Sequence, residues 1–171
     1  MSRLIIDGYN LLGASTGRGL TGSIEAERKE LLERLAVYRK QKSGLKITVV
    51  FDARGGTTLN RRRESFKGVE VVFAGSGEDA DTVIKDFARR FGSGVIVVSS
   101  DREIREFVEQ CGGVSISSGE FLERLELAEY AALKGLEEEE EEEYREYTRK
   151  KGPSKRLPKD KRRKRGVLKK L

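Results

Sequence analysis

In the stretch LIIDGYNLL, residues 4–12, an apolar run ends on a carboxylate, Asp7, and three further apolar runs lead into acids in the same way. Asp52 follows KITVVF, Asp101 follows GVIVVSS, and Glu78, Asp79 and Asp81 lie just beyond VEVVFA. Carboxylates gathered in one place raise one another's pKa unless a cation neutralises them. An oxygen-only set suits Mg²⁺ or Mn²⁺, which keep several waters and leave room for a phosphate oxygen and a nucleophilic water. The chemistry implied is metal-dependent hydrolysis of a phosphodiester. Composition restricts hydrolytic chemistry to carboxylates, lysines or a metal-activated water. There is no His, hence no Ser/His or Cys/His nucleophile, no His-ligated zinc and no imidazole acid or base. The single Cys111 can make neither an intrachain disulfide nor a CxxC metal pair, which fits a reducing cytoplasm.

Each acid also has a purely structural explanation. Asp101 directly precedes REIREF and can be an ordinary helix N-cap, a ligand, or both. Asp79 forms an S-x-x-D capping box with Ser76 and is expected to be structural. Glu78 and Asp81, three residues apart, share a helix face, where the alternative to metal binding is complementing a helix dipole. Asp52 opens DARGG, a turn context, and is expected to support the site rather than form it. Asn10 can cap a turn or offer its amide to a carboxylate or a phosphate. Asp7 is the acid least explained in this way, because no helix-like segment starts immediately behind it, and Gly8 is read as a sharp turn.

The elements that must position these acids follow from the hydrophobic pattern. RLII (3–6), KITVVF (46–51), VEVVFA (69–74) and GVIVVSS (94–100) are nearly continuous apolar runs, as expected of strands covered on both faces, and VSIS (114–117) is a candidate fifth. Helices are expected between them. Ser23 caps a segment with Ile24, Leu31, Leu35 and Tyr38 on one face; a second carries Ala80, Ile84, Phe87, Ala88 and Phe91 and stops at Gly92. A third buries Ile104, Phe107, Val108 and Cys111, and a last one starts at Ser118 with Phe121, Leu122, Leu125, Ala128, Ala132 and Leu136 toward the core. The expected fold is α/β: a three-layer, Rossmann-like sandwich around a mostly parallel sheet of four or five strands. In such a sheet the carboxyl ends of the strands open on one edge, where sites are built.

Charge divides the chain. Residues 148–171 hold 13 Lys/Arg and one acid, a net of +12, whereas residues 1–147 carry a net of −6. Seven consecutive Glu, 137–143, follow the last apolar stripe. We expect a globular domain over 1–136, a Glu-rich helical extension over 137–150 and a disordered basic tail over 151–171. No secretory leader and no 18-residue apolar run is visible, so neither membrane nor export is expected. In the tail, Lys161, Arg162, Arg163, Lys164 and Arg165 can neutralise RNA phosphates; so can Arg54, Arg61, Arg62 and Arg63, read as a loop beside the acidic edge. Phe66 or Tyr9 can stack on a base or belong to the core. GRGLTG (17–22) starts too far behind the first strand to be a dinucleotide fingerprint and reads as a flexible loop.

Four segments together, IDGYN (6–10), VFDAR (50–54), EDADTVI (78–84) and VVSSD (97–101), resemble the YacP-like NYN family, a branch of the PIN-like nucleases, over roughly residues 1–135. The resemblance implies a PIN-like α/β fold and a divalent-metal ribonuclease site, with some members acting at the ribosome. By position it places the acids at Asp7, Glu78, Asp81 and Asp101, with Asn10 and Asp52 nearby. The expected function is therefore a metal-dependent endoribonuclease using Mg²⁺ or Mn²⁺, in which Asp7, Asp81 and Asp101 are catalytic and these three with Glu78 are the metal ligands. RNA, including ribosome-associated RNA, is the expected partner. The competing readings are a catalytically silent RNA-binding or ribosome-associated factor of the same fold and, last, a phospho-receiver domain built on Asp7 and Asp52, which lacks the paired acids and strand-end Lys it would need.

Overall fold

The computed structural model describes residues 2–16, 23–53 and 59–148. Along the chain run β1 (Ser2–Asp7), α1 (Gly8–Thr16), α2 (Ile24–Gln41), β2 (Leu45–Phe51), β3 (Arg62–Phe66) and β4 (Val69–Phe73). They are followed by α3 (Ala80–Phe91), a single 3-10 turn (Gly92–Gly94), β5 (Val95–Val98), α4 (Arg102–Gln110), β6 (Val114–Ile116) and α5 (Ser118–Thr148). The strands form one sheet in the order β3-β4-β2-β1-β5-β6, parallel throughout except for β3, which runs antiparallel to β4.

Alternation along the strands divides the core in two. Leu4 and Ile6 of β1 join Ile47, Val49 and Phe51 of β2 under α1, α2 and the first turns of α5, where Leu11, Leu35, Phe121 and Leu125 are buried. Ile5, Val50 and Val97 point the other way, against Val83, Ile84 and Phe87 of α3 and Ile104 and Val108 of α4. Each such side chain taken fully out of water contributes about 1.5–3 kcal/mol. The same parity sends Asp7, two residues beyond Ile5, toward the α3 and α4 face.

The order of the strands fixes where a site can lie. From β1 the chain moves outward to β2 and β4, then α3 carries it back across β1 to β5. The direction of winding therefore reverses at β1, and the crevice beyond the carboxyl ends of β1 and β5 is the topological switch point. Asp7 ends one of those strands, and Asp101 closely follows the other.

The sheet has six strands rather than four or five. The extra one, β3, lies in the charged segment RRRESFKG that sequence alone assigns to a loop. It is held by a two-residue turn, Lys67-Gly68, whose residues both have positive φ (47° and 85°), the geometry that matches a hairpin's right-handed twist. A second difference is α1, which begins at Gly8. Gly8 is needed for close approach, since a Cβ there would lie 2.3 Å from the Phe51 ring.

The chain divides into two units, Met1–Leu133 with the sheet and its helices, and Lys134–Leu171, whose described part is helical through Thr148. No described helix is long and apolar enough to cross a membrane.

Candidate active site

Asp7 is only 8% exposed. Because α1 starts immediately behind it, Asp7 does what an N-cap does: its Oδ1 accepts the N–H of Asn10 at 3.2 Å. The expectation that no helix follows Asp7 is thus overturned, and with it the reason for setting Asp7 apart from capping chemistry. What distinguishes it is burial. Burial pushes its pKa from 3.8 to about 6; the Asn10 N–H pulls it down, Asp81 and Asp52 push it up, and the Ser99 hydroxyl, donating to Oδ2 at 3.4 Å, pulls it down again. A carboxylate buried for a single cap bond is expensive, because burial penalises its ionised form.

Three other aspartates at this edge are also bound to helix N-termini. Asp79 is the N-cap of α3 and accepts the Thr82 N–H at 2.8 Å, so α3 begins three residues later than a capping box on Ser76 requires. Asp52 accepts the N–H of Ala80, the first residue of α3, at 2.6 Å and so fixes that helix against the end of β2. Asp101 caps α4, accepting from Glu103 at 2.7 Å and Ile104 at 3.3 Å. In Asp52 and Asp101 these bonds use Oδ1 alone. Among the described residues nothing engages their second oxygens, so the cap holds the side chain still while leaving it an oxygen to offer.

Asp81, in the first turn of α3, is pushed upward by burial and by Asp79, Asp101 and Asp52, with Lys85 working the other way. Asp7, Asp52, Asp81 and Asp101 therefore act on one another across the switch point. Each N-terminus of α1, α3 and α4 adds positive dipole at this edge, which favours the carboxylates and an incoming phosphate alike.

Asn10 is aimed by two serines that sequence reasoning did not single out. Its Oδ1 accepts from the Ser118 hydroxyl at 2.6 Å and from the Ser100 N–H at 2.9 Å. The N–H of Ser118 donates to the Ser100 hydroxyl at 3.1 Å. Among the described residues nothing engages the Asn10 amide NH₂. Ser99, fully buried, donates to Asp7 and accepts the Asp101 N–H at 3.1 Å, joining the two acids. The only sequence signal was a pair of hydroxyls directly after an apolar strand.

Glu78 is not part of this set. Both its oxygens are taken by Arg61, which also bonds Asp86. The Arg61 hydrogen bonds hold Glu78 below its ordinary range and raise Arg61 in turn. Glu78, expected as a metal ligand, and Arg61, expected as a phosphate clamp, here neutralise each other. Arg62 and Arg63 stand on β3 rather than in a loop, Arg62 over the Phe73 ring and Arg63 3.3 Å from Glu70. Phe66 and Tyr9 pack against the core. Arg54, Lys161, Arg162, Arg163, Lys164, Arg165 and the GRGLTG segment lie outside the described residues.

Among the described residues no group of three or more acids is gathered closely enough to form a metal cage. The donor chemistry nonetheless fits a hard cation: the carboxylates offer only oxygens, and Asp7 and Asp81 stay raised even with Lys85 pulling Asp81 down. Mg²⁺ is commonly held by one or two carboxylates with waters completing its shell, which asks for no cage.

No curated protein matches the chain. Among solved structures, the crystal structure of Rae1 (YacP) from Bacillus subtilis matches with a TM-score of 0.69 and 27% identity, covering 84% of this chain and 84% of that one. A point mutant of the same protein matches with a TM-score of 0.68 and 26% identity, covering 83% and 86%. The fold is that of the PIN-like nucleases, and with the family model matching residues 4–166, the chain belongs to the YacP-like NYN domain family.

Proposed function

We propose that the protein is a metal-dependent endoribonuclease acting from the reducing cytoplasm, with ribosome-associated RNA within its substrate class. The observation that carries this reading is Asp7: a carboxylate at the topological switch point, buried, facing Asp52 and Asp81, with its pKa raised to about 6. Maintaining that arrangement costs stability, which scaffold capping alone does not require.

Asp7, Asp81 and Asp101 would hold Mg²⁺ or Mn²⁺, directly or through water. Bound there, the cation supplies charge to offset that of the phosphate and lowers the pKa of a nucleophilic water. The chain's own residues do the rest. The Asn10 NH₂, fixed by Ser100 and Ser118, can donate to a phosphate oxygen. Ser99 sets the orientation of the Asp7 carboxylate. Asp52 locks the start of α3 so that Asp81 faces Asp7.

A second reading, RNA binding without turnover, is favoured by the fact that Asp7, Asp52 and Asp101 each already serve a helix N-terminus. One assay separates the two. A short RNA incubated with the full chain should be cut in Mg²⁺ or Mn²⁺ and left intact in EDTA or by Asp7→Asn. Cleavage undiminished in either case overturns the nuclease mechanism, and binding without cleavage in both metals establishes the alternative.

A further inference from the structure

An acidic cluster repels the backbone it is meant to cut, so the affinity for RNA must come from elsewhere on the surface. Of the three arginines on 61–63, the structure commits Arg61 to two acids and sets Arg63 against Glu70. Arg62 is different. Its guanidinium lies 4.5 Å from the centroid of Phe73, and a second arginine, Arg28 of α2, lies 5.4 Å from the same ring and 5.8 Å from Phe51. Two guanidiniums from separate elements thus converge on one aromatic pair, whose rings are themselves stacked at 5.8 Å.

We infer that Arg28 and Arg62, mounted on Phe73, form a phosphate-binding subsite for the backbone of the RNA strand whose scissile phosphate lies at the aspartates. This rests on the nuclease reading for the strand's destination, though not for its binding. A guanidinium laid on a ring is held by its face and presents its N–H edge outward, the edge that forms a fork with phosphate. Among the described residues neither arginine has a partner that would resist exchange. Arg28 faces Glu25 at 4.0 Å, a carboxylate 83% exposed, and Arg62 pairs along its own strand with Glu64, 52% exposed. Exposed pairs of this kind contribute little and give way to a better anion.

The sheet supplies the path. Arg62 is opposite Phe73 and Phe73 is opposite Phe51, on the α1 and α2 face; Val50, next to Phe51 and facing the other way, is opposite Asp7, so the path crosses the carboxyl edge from one face of the sheet to the other. These residues form a row across the carboxyl ends of four adjacent strands, and at roughly 4.8 Å per strand the arginine end lies about 14 Å from the Asp7 strand. The row is positive at its outer end and acidic at its inner one. A strand anchored at the arginines is thereby brought to the acids by binding energy gained away from the reacting phosphate.

The test is binding of a fluorescent oligoribonucleotide to the full chain in EDTA, titrated from about 50 to 200 mM salt. Arg28→Gln and Arg62→Gln should each reduce the slope of log K against log salt by about 0.7, and the pair by about 1.4, the single-strand value per phosphate contact. Arg124→Gln, the same loss of charge on α5, should leave the slope unchanged. Arg62 is 59% exposed, so its variant is expected to fold even if the Arg28 variant does not, and it decides alone. A slope for folded Arg62→Gln equal to that of Arg124→Gln overturns the subsite, as does a wild-type protein that binds no RNA. Reduced slopes in a protein that never cleaves keep the subsite and sink the nuclease; unchanged slopes in a protein that cleaves and loses cleavage with Asp7→Asn do the reverse.

Discussion

Two parts of the carboxyl edge treat acids in opposite ways. Near the β3-β4 hairpin, Glu78 and Asp86 share Arg61, and both carboxyls are held below their ordinary range by its hydrogen bonds. At the switch point beside β1, Asp7 and Asp81 are pushed upward by burial and by neighbouring carboxylates. In the first region charge is spent on holding two elements together. In the second the described residues set Lys85 against it, a cation that itself bonds Glu103, and the carboxyls are still pushed upward, which leaves charge available to a ligand. The abundance of acids therefore says less about chemistry than whether a cation of the chain already answers them.

Asp7→Asn probes this contrast with the largest effects. Cleavage should fall by at least about a hundredfold, the upper end of what even outer-shell partners of a metal contribute. Stability should change in the opposite direction. The folded-state pKa of Asp7 is raised, so its ionisation costs nothing below about 4, and the cost develops as pH rises through about 6. Denaturant unfolding in EDTA should show Asp7→Asn more stable than wild type by about 3 kcal/mol at pH 7.5, the gain disappearing by pH 4. A variant less stable than wild type at pH 7.5 would show that Asp7 belongs with the scaffold acids.

Glu78→Gln should do the reverse and by less. Its pKa is lowered, so its contribution is present above about 4.5 and is lost as pH falls through its folded value. The variant should lose about 1 kcal/mol at neutral pH and little in acid, with cleavage within a few-fold of wild type. Loss of cleavage comparable to Asp7→Asn would return Glu78 to the metal set. The smallest effect is expected at the hairpin turn, where Lys67 sits at φ 47°. Lys67→Asn relieves about 1 kcal/mol of left-handed strain and gives up the exposed Glu33 pair, for a net gain of about 0.5 kcal/mol with cleavage unaltered. Any change in cleavage there would mean that the hairpin does more than hold Arg61 and Arg62 in place.

The long parallel strands are legible in the sequence because burial on both faces demands continuous β-branched runs. β3 exposes four of its five residues, so no pattern announces it, and its turn uses a lysine where asparagine or glycine would have been the signal. α1 is nine residues long with Gly8 and Gly13 in it, too short and too glycine-rich to show a period. Missing α1 also hid the capping role of Asp7. The convergence of Asp7, Asp52, Asp81 and Asp101 on one edge follows from strand ends alone, whereas the pairing of Glu78 with Arg61 does not: the two lie 17 residues apart, and no spacing rule foresees it. Ser99 and Ser118 were invisible for the same reason, since a hydroxyl reveals its purpose only through what it touches.

The clasp between Asn10 and Ser118 joins positions 108 residues apart. Every aspartate of the site has been synthesised by residue 101, yet the amide that faces them is aimed only after the start of α5 has folded back onto the edge. Assembly of the acids and completion of the site are therefore separate events in the chain's folding. A long-range contact of this kind pays its loop-closure entropy before it brings any return, which makes the finished site a late arrival.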